Sequence, residues 1–400
     1  MARPITGEEE GAFAFLTLNH TAKRLALEGK EGGSDVSRGL LGLVEVGGAS
    51  TQIVFPLIPY VHVPPFVRRV PVGAEAHLGS RRNLELVSVS FLQLGATSSA
   101  GLLLKNICNR PENIKQGICN NPCFPRGYEQ SCSAGTPTIT KDGQVTISTS
   151  TRDNRLKPVA LFCASSNPEV SLKALNKLAC KANGLDPAAT LGERLSFPGC
   201  NKIVGTGDFQ QCYAAVEQFL VSPQLPVPSN SEASASGFDS VGQVFRLASS
   251  DAPIYVTGGA LVSAVRTLQS YNLLSRDFKG DVDELVRGAQ RFCAIPVRKV
   301  SGSGLVFDIK GSAPLPVTAF SHDTCQKLAL SASLLRHMNI GESRPEYVRF
   351  EDRILDRTGK AIGEYSWHVG AILQYALAKR KWARDMYELG SGFNLPSTAA

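Results

Sequence analysis

The run Leu43-Val44-Glu45-Val46-Gly47-Gly48-Ala49-Ser50-Thr51-Gln52 constrains the fold of this chain more than any other segment. Leu40 to Val46 is a short apolar stretch that reads as a buried strand; Gly47-Gly48 breaks it, and Gln52 to Leu57 resumes an extended pattern. The predicted unit is strand, glycine loop, strand. Glu45 lies near the end of the first strand, where a carboxylate is costly unless something uses it. Two glycines let a backbone come close to a ligand and turn N–H groups toward an anion. Hydroxyl and amide side chains follow at once in Ser50, Thr51 and Gln52. One reading is a phosphate cradle built from Gly47, Gly48 and Ala49, with a carboxylate beside it for a metal ion or its waters. The other is an ordinary hairpin with a glutamate on its rim. Spacing alone fits both equally.

Around this unit the chain alternates strands with helices, which makes the class α/β. A helix is expected over 7–28, with Phe15, Leu18, Ala22 and Leu25 as its apolar stripe and Glu8 to Glu10 complementing the dipole. Further helices are expected at 97–107, 170–182, 209–220 (capped by Asp208), 260–271, 281–293, 324–339 and 367–387. Strands are expected at 84–94 and 254–257, the latter followed by a Gly258-Gly259 turn, and a hairpin around Lys141-Asp142-Gly143. Residues 108–155 are rich in Cys, Gly and Pro, and 222–237 reads as a mobile Pro/Ser/Ala-rich surface loop.

Ten cysteines, an even number and mostly in loop-like or segment-end contexts, favour disulfides and an oxidising compartment. A zinc alternative rests on the Cys119-x-x-x-Cys123 spacing and on His322 near Cys325, with no second matching pair beside either. Met1 leads into a charged segment with no apolar signal core, and no stretch approaches the ~18 apolar residues of a membrane span. The formal charge of +7 is scattered in pairs, and the Lys379-Arg380-Lys381 run reads as a solvated helix face. That charge suits an anionic partner; nucleic-acid binding has no motif behind it. Asn19-His20-Thr21 is a glycosylation acceptor pattern set in a helix.

Several segments carry a resemblance to one family. Leu43 to Gln52 resembles the fourth conserved region of the apyrases (nucleoside triphosphate diphosphohydrolases), an acidic residue followed by Leu-Gly-Gly-Ala-Ser-Thr-Gln. Ile5 to Asn19 looks like the third region, Thr-Gly-x-Glu-Glu-Gly, an aromatic-rich step and then Thr-x-Asn. Asn121 to Tyr128 is similar to Pro-Cys-Phe-x-x-Gly-Tyr, Gly205 to Cys212 to Gly-x-Gly-x-Phe-x-x-Cys, and Tyr365 to Ala371 to the fifth region, Trp-Thr-Leu-Gly. The order and separation of the third and fourth regions match as well, and the resemblance spans about residues 5–377.

The resemblance implies hydrolysis of the terminal phosphate of nucleoside tri- or diphosphates by direct attack of water, with Ca2+ or Mg2+. It implies Glu10 as general base, Ser50 and Gln52 orienting the water, and the N–H groups of Gly48 and Ala49 on the phosphate. Glu45 would hold the cation through water, and Trp367 would line its hydration shell. An aromatic side chain and a cation would sandwich the base, with Tyr255 or Phe245 and Arg336 as candidates and Gly258-Gly259 approaching the nucleoside. Disulfides Cys123–Cys212 and Cys293–Cys325 follow from the family pattern, as does a secreted or secretory-lumen location.

Two departures qualify the match. Glu45 stands where the family has aspartate, which moves the carboxylate by roughly 1.5 Å. The first and second regions, including the opposing phosphate loop Asp-x-Gly-Ser-x-Gly-Thr, have no counterpart. The family has two actin-like (RNase H-like) lobes around its site, so residues 1–363 are expected to form the second lobe and 364–390 a helix returning to the first. That helix would expose an apolar face. Two other readings are a non-catalytic nucleotide-binding or interaction protein derived from such a lobe, and another actin-like phosphotransferase or exopolyphosphatase.

Overall fold

The computed structural model describes residues 5–24, 40–48, 50–56, 68–72, 84–92, 94–131, 137–139, 145–147, 202–220, 253–300, 304–308, 315–316, 323–337, 348–355, 360–365, 367–373 and 375. Ala49, Phe245, His322, the helix expected at 170–182, the loop at 222–237, and residues 376–390 lie outside them.

Helix α1 (Gly7–Thr21) precedes strands β1 (Gly42–Val46), β2 (Ser50–Pro56), β3 (Arg68–Val72) and β4 (Leu84–Leu92). Helices α2 (Ala96–Cys108) and α3 (Pro111–Gln116) follow, then short strands β5 (Ile118–Asn121), β6 (Glu129–Ser131), β7 (Pro137–Ile139), β8 (Val145–Ile147) and β9 (Lys202–Gly205). Next come α4 (Phe209–Leu220), β10 (Ile254–Thr257), α5 (Gly259–Ser270), α6 (Val282–Cys293), β11 (Val297–Val300), β12 (Gly304–Phe307) and β13 (Leu315–Pro316). The described chain closes with α7 (Thr324–His337), β14 (Val348–Phe350), β15 (Arg353–Leu355), β16 (Ala361–Glu364) and a helical segment at 367–373.

Among the described residues the central sheet has six strands, in the order β14-β10-β1-β2-β4-β3. The short glycine loop leaves β1 and β2 antiparallel, and β4 and β3 continue that pattern. On the other side of β1, β10 and β14 are parallel to it, each reached through a helical crossover.

Alternation divides the sheet cleanly. Val44, Val46, Ile53, Phe55, Val87, Val89 and Val256 face the larger core, which α2 and α4–α7 cover. Leu43, Val54, Leu86 and Tyr255 face the other way, against Phe15 and Leu18 of α1.

Helix α1 is shorter and more enclosed than its periodicity suggests. It ends at Thr21, followed by Lys23 in the left-handed region at φ 54°. Residues from Gly11 to Asn19, Phe13 apart, are buried, because Ile354, Tyr365 and Trp367 cover the side of α1 turned from the sheet. The expected single stripe is therefore a two-sided contact. Asn19 is wholly buried: its amide donates to the Phe15 and Leu41 carbonyls, and its oxygen accepts from the Leu41 N–H. It fastens α1 to the chain entering β1, which leaves no access for a glycan in the folded state.

Cys123–Cys212 and Cys293–Cys325 are bonded as the family pattern implied, and Cys108–Cys119 adds a third disulfide. These bonds consume the cysteines on which the zinc alternative rested. Gly205 and Gly207 are packing positions: added β-carbons would lie 2.1 Å from the Pro125 carbonyl and 2.4 Å from that of Cys293. Asp208 then caps α4 by accepting from the Gln211 N–H. Strands β7 and β8 pair about the expected hairpin, its turn residues lying outside the described ones.

Candidate active site

Two residues from Leu43, Val54 and Tyr255 on the α1 side of the sheet, the same parity brings polar ones. Ser90 lies opposite Gln52, Gln52 opposite Glu45, and Glu45 opposite Thr257. Four adjacent strands thus present a polar row on one face, beyond the apolar Leu43, Val54 and Tyr255. A row like that is expensive inside a core, so it marks the place where the interior opens onto a site.

The start of α1 lies over this row, and its sequence explains how. Thr6 and Glu9 form a reciprocal capping box, at 3.2 Å and 3.0 Å. A β-carbon on Gly7 would be 2.2 Å from Ser90 Oγ, and one on Gly11 would be 2.9 Å from a Val54 methyl. Ser88 Oγ also donates to the Glu8 carbonyl at 2.8 Å. The two glycines, four residues apart, let the first turn of the helix rest directly on β2 and β4. Glu10 between them is carried to Gln52, whose Nε2 lies 3.4 Å from Glu10 Oε2, 2.8 Å from Ser50 Oγ and 3.4 Å from Ser90 Oγ.

The carboxylates are electrostatically unusual. Burial raises Glu10 above the ordinary carboxylate range, and the nearby His368 offsets part of that rise. Glu45 is pushed up to about 7, first by burial and then by the charge of Glu10; a hydrogen bond from the Tyr365 hydroxyl at 3.3 Å pulls the other way. The Tyr365 phenol is itself raised well above its usual value by burial and by the facing Glu45.

Beside Glu45 opens a cleft of about 370 Å3, lined by Val46, Gly47 and Gly48 on one side and Thr257, Gly258, Gly259 and Ala260 on the other. Asp352 and Tyr365 complete its wall. The Gly47 N–H closes the loop onto the Ser50 carbonyl, and the Gly47 and Gly48 carbonyls accept from Ala96 and Thr97 at the start of α2. Of the two described cradle residues, Gly48 is the exposed one. A wider concavity of about 560 Å3 near Arg126, Asp208 and Gln290 contains none of these groups.

Glu10, Ser50, Gln52, Glu45, Gly47, Gly48, Gly258 and Gly259 are brought together as expected. Two predicted residues are not. Tyr255 is only 4% exposed and packs beneath α1 beside Leu43, because its parity on β10 points it into the core; stacking on a base is excluded there. Arg336 does not line the cleft: it lies in the last turn of α7, its guanidinium over the Tyr213 ring at 5.4 Å. Trp367 is half-buried against the α1-side core and stacked on His368. Three further residues belong to the site. Ser90 is legible as a serine on the buried face of a strand, and Tyr365 as the first residue of the segment that resembles the fifth region. Asp352 carried no sequence signal.

A buried polar row carrying the Glu45 carboxylate, overlain by Glu10 and bordered by a glycine loop, defines an anion-handling α/β site. A family model for the GDA1/CD39 (nucleoside phosphatase) family matches residues 1–241. A putative nucleoside-triphosphatase of Toxoplasma gondii is 44% identical over 98% of this chain and 68% of its own length. Nucleoside-triphosphatase 1 of the same organism is also 44% identical, over 98% of this chain and 64% of its own length. The crystal structure of nucleoside triphosphate hydrolases from Neospora caninum superposes with a TM-score of 0.73 at 44% identity, over 98% of this chain and 67% of that one. The chain belongs to the GDA1/CD39 nucleoside phosphatase family, and it spans about two thirds of the length of these relatives.

Proposed function

We propose that this chain carries the water-activating half of a nucleoside tri-/diphosphate phosphohydrolase, with the terminal phosphate cleaved by direct attack of water. The observation that carries the reading is the contact of Glu10 with Gln52, and of Gln52 with Ser50, at the edge of the cleft. Gln52 Nε2 donates to Ser50 and faces Glu10, so its carbonyl oxygen is left to accept from a water. Ser50 Oγ accepts from Gln52 and keeps its own hydrogen to donate. A water held between them lies within reach of the Glu10 carboxylate. As its oxygen bonds to the terminal phosphorus and the bridging P–O bond breaks, its proton passes to Glu10. A carboxylate raised by burial is a stronger base than a solvated one, which favours that transfer.

The donor set fits a hard divalent cation, Ca2+ or Mg2+, held through water. Among the described residues no three His, Cys, Asp or Glu converge for direct ligation. Glu45, buried and repelled by Glu10, has the electrostatic deficit that such an ion offsets. Glu45 would hold it, with Trp367 beside its hydration shell. When bound, the ion would neutralise charge on the transferring phosphoryl group.

The sheet order, antiparallel from β3 to β1 and parallel from β1 to β14, is consistent with an actin-like lobe. Residues 367–373 would then run toward a partner lobe, in keeping with the exposed Val369, Ile372 and Tyr375. Gly258 and Gly259 form the nucleoside-side wall, and the disulfides favour a secreted or secretory-lumen setting. Among the described residues no helix is long and apolar enough to cross a membrane.

The test is phosphate release from nucleoside tri- and diphosphates with Ca2+ or Mg2+, by the oxidised chain alone and fused to the remaining portion of a Toxoplasma relative. Glu10→Gln is expected to lower turnover by about 10²–10⁴-fold while nucleotide binding persists. Release that survives Glu10→Gln would overturn the assignment of the base. Silence of both forms, with binding retained, would favour a non-catalytic nucleotide-binding protein.

A further inference from the structure

Asp352 lines the cleft opposite Glu45, yet neither the water-activating contacts nor the cation site needs it. It lies just past β14, where the Glu351 N–H still donates to the Val256 carbonyl at 3.1 Å. From there its carboxylate shares the cleft wall with Thr257 and Gly258, whose hydroxyl and N–H favour its charged form, and Arg266 of α5 stands 3.8 Å away. Arg266 also pairs with the neighbouring Glu351. Asp352 therefore joins β14, the end of β10 and the second turn of α5.

The residue it grips is the least adjustable in the cleft. Gly258 adopts φ +110°, a region that glycine alone enters easily. A β-carbon there would lie 2.0 Å from the Val46 carbonyl, so the turn is pressed against the strand that leads into Gly47-Gly48. Gly258 also occupies the N-cap of α5 without a side chain to cap it, and the following Gly259 and Ala260 line the cleft. A shift of this turn would move the first N–H groups of α5 and press on the glycine loop across from it.

We propose that Asp352 is a positioning residue: through Gly258 and Thr257 it sets the Gly258-Gly259 turn against the Gly47-Gly48 loop and so fixes the width of the cleft that takes the nucleotide. The inference rests on the phosphohydrolase reading above. Its action is on binding, since the groups that activate water lie on the other side of Glu45. A contact made equally in ground and transition states changes KM and leaves kcat alone.

The test compares Asp352→Ala and Asp352→Asn in the oxidised chain, in whichever form releases phosphate. Asparagine keeps an acceptor for Gly258 and a partner for Thr257 and loses only an exposed ion pair with Arg266, which contributes little. Alanine loses both polar contacts, and its KM is expected to rise by about tenfold with kcat held within about threefold. Asparagine should bring KM back to within about threefold of the native chain. Hydrogen exchange at Gly258 to Val262 should quicken in the alanine variant only, a readout that stands even if no form hydrolyses nucleotide. An alanine variant with native KM and native exchange overturns the proposal. So does an asparagine variant as impaired as alanine, with a shifted cation requirement, which would make Asp352 a cation ligand instead. A native chain that releases no phosphate, while alanine still quickens exchange, would refute the activity and leave the brace standing.

Discussion

Replacing Glu45 by glutamine keeps the shape of the side chain and removes a charge that burial and the neighbouring Glu10 make costly. Those two causes move its ionisation from 4.5 to about 7. Between these values the folded chain holds a proton that the unfolded chain has released. The penalty from Glu45 is therefore absent below pH ~4.5, grows as pH rises to about 7, and levels off above. At ~1.36 kcal/mol per unit, charging Glu45 costs the cation-free fold roughly 3 kcal/mol. With an unfolding entropy of ~2.1 cal/mol/K per residue, a 400-residue chain shifts by ~1 °C per kcal/mol. The melting midpoint of the native chain relative to Glu45→Gln should thus fall by about 3 °C between pH ~5 and pH ~8 in a chelator. Calcium or magnesium should restore the native chain at the higher pH, because an ion that binds the carboxylate stabilises the charged form. It should do far less for the variant. Thermal unfolding of both chains across this range, with and without the ion, gives the comparison. Parallel profiles in chelator would refute the claim that the cleft makes this charge costly. Equal stabilisation of both chains by the ion would remove Glu45 from the cation site.

The remaining predictions concern the supports of this geometry. Tyr365→Phe removes the hydroxyl that lowers Glu45, so the pH at which the cation begins to stabilise the chain should move up by about one unit, read from cation titrations at several pH values. Gly258→Ala forces a β-carbon into the Val46 carbonyl at positive φ; it should cost about 2–3 kcal/mol in thermal unfolding and weaken binding of a non-hydrolysable nucleotide analogue. Paired Cys→Ala changes should rank by loop length. Opening Cys123–Cys212, which closes 89 residues, should cost about 4–5 kcal/mol in urea titrations, against about 3 kcal/mol for Cys108–Cys119, which closes 11.

The parts of this site that were legible in the sequence are those whose chemistry is local. Glu8 to Glu10 announce a helix start, and the structure adds the Thr6–Glu9 capping box and lays Gly7 and Gly11 on the sheet. Gly47-Gly48 after an apolar run announces the β1–β2 loop, and alternation along β2 places Gln52 on the same face as Ser50. What could not be read is whatever depends on register between distant strands. Whether Tyr255 points to solvent or to the core is decided by its pairing with Leu43, over two hundred residues earlier in the chain, and by α1 lying on that face. The same register brings Thr257 beside Glu45 and then lets Asp352, arriving on β14, meet the turn that follows. An aspartate after a three-residue strand has no periodic signature. Its importance comes from the parallel crossovers that deliver it, which follow from the whole topology and from no segment of it. Tyr255 and the overlooked aspartate share this cause. Base-side contacts were assigned by residue type, whereas the cleft is assembled by strand order: β1 supplies the carboxylate, β10 the turn, and β14 the residue that holds the turn in place.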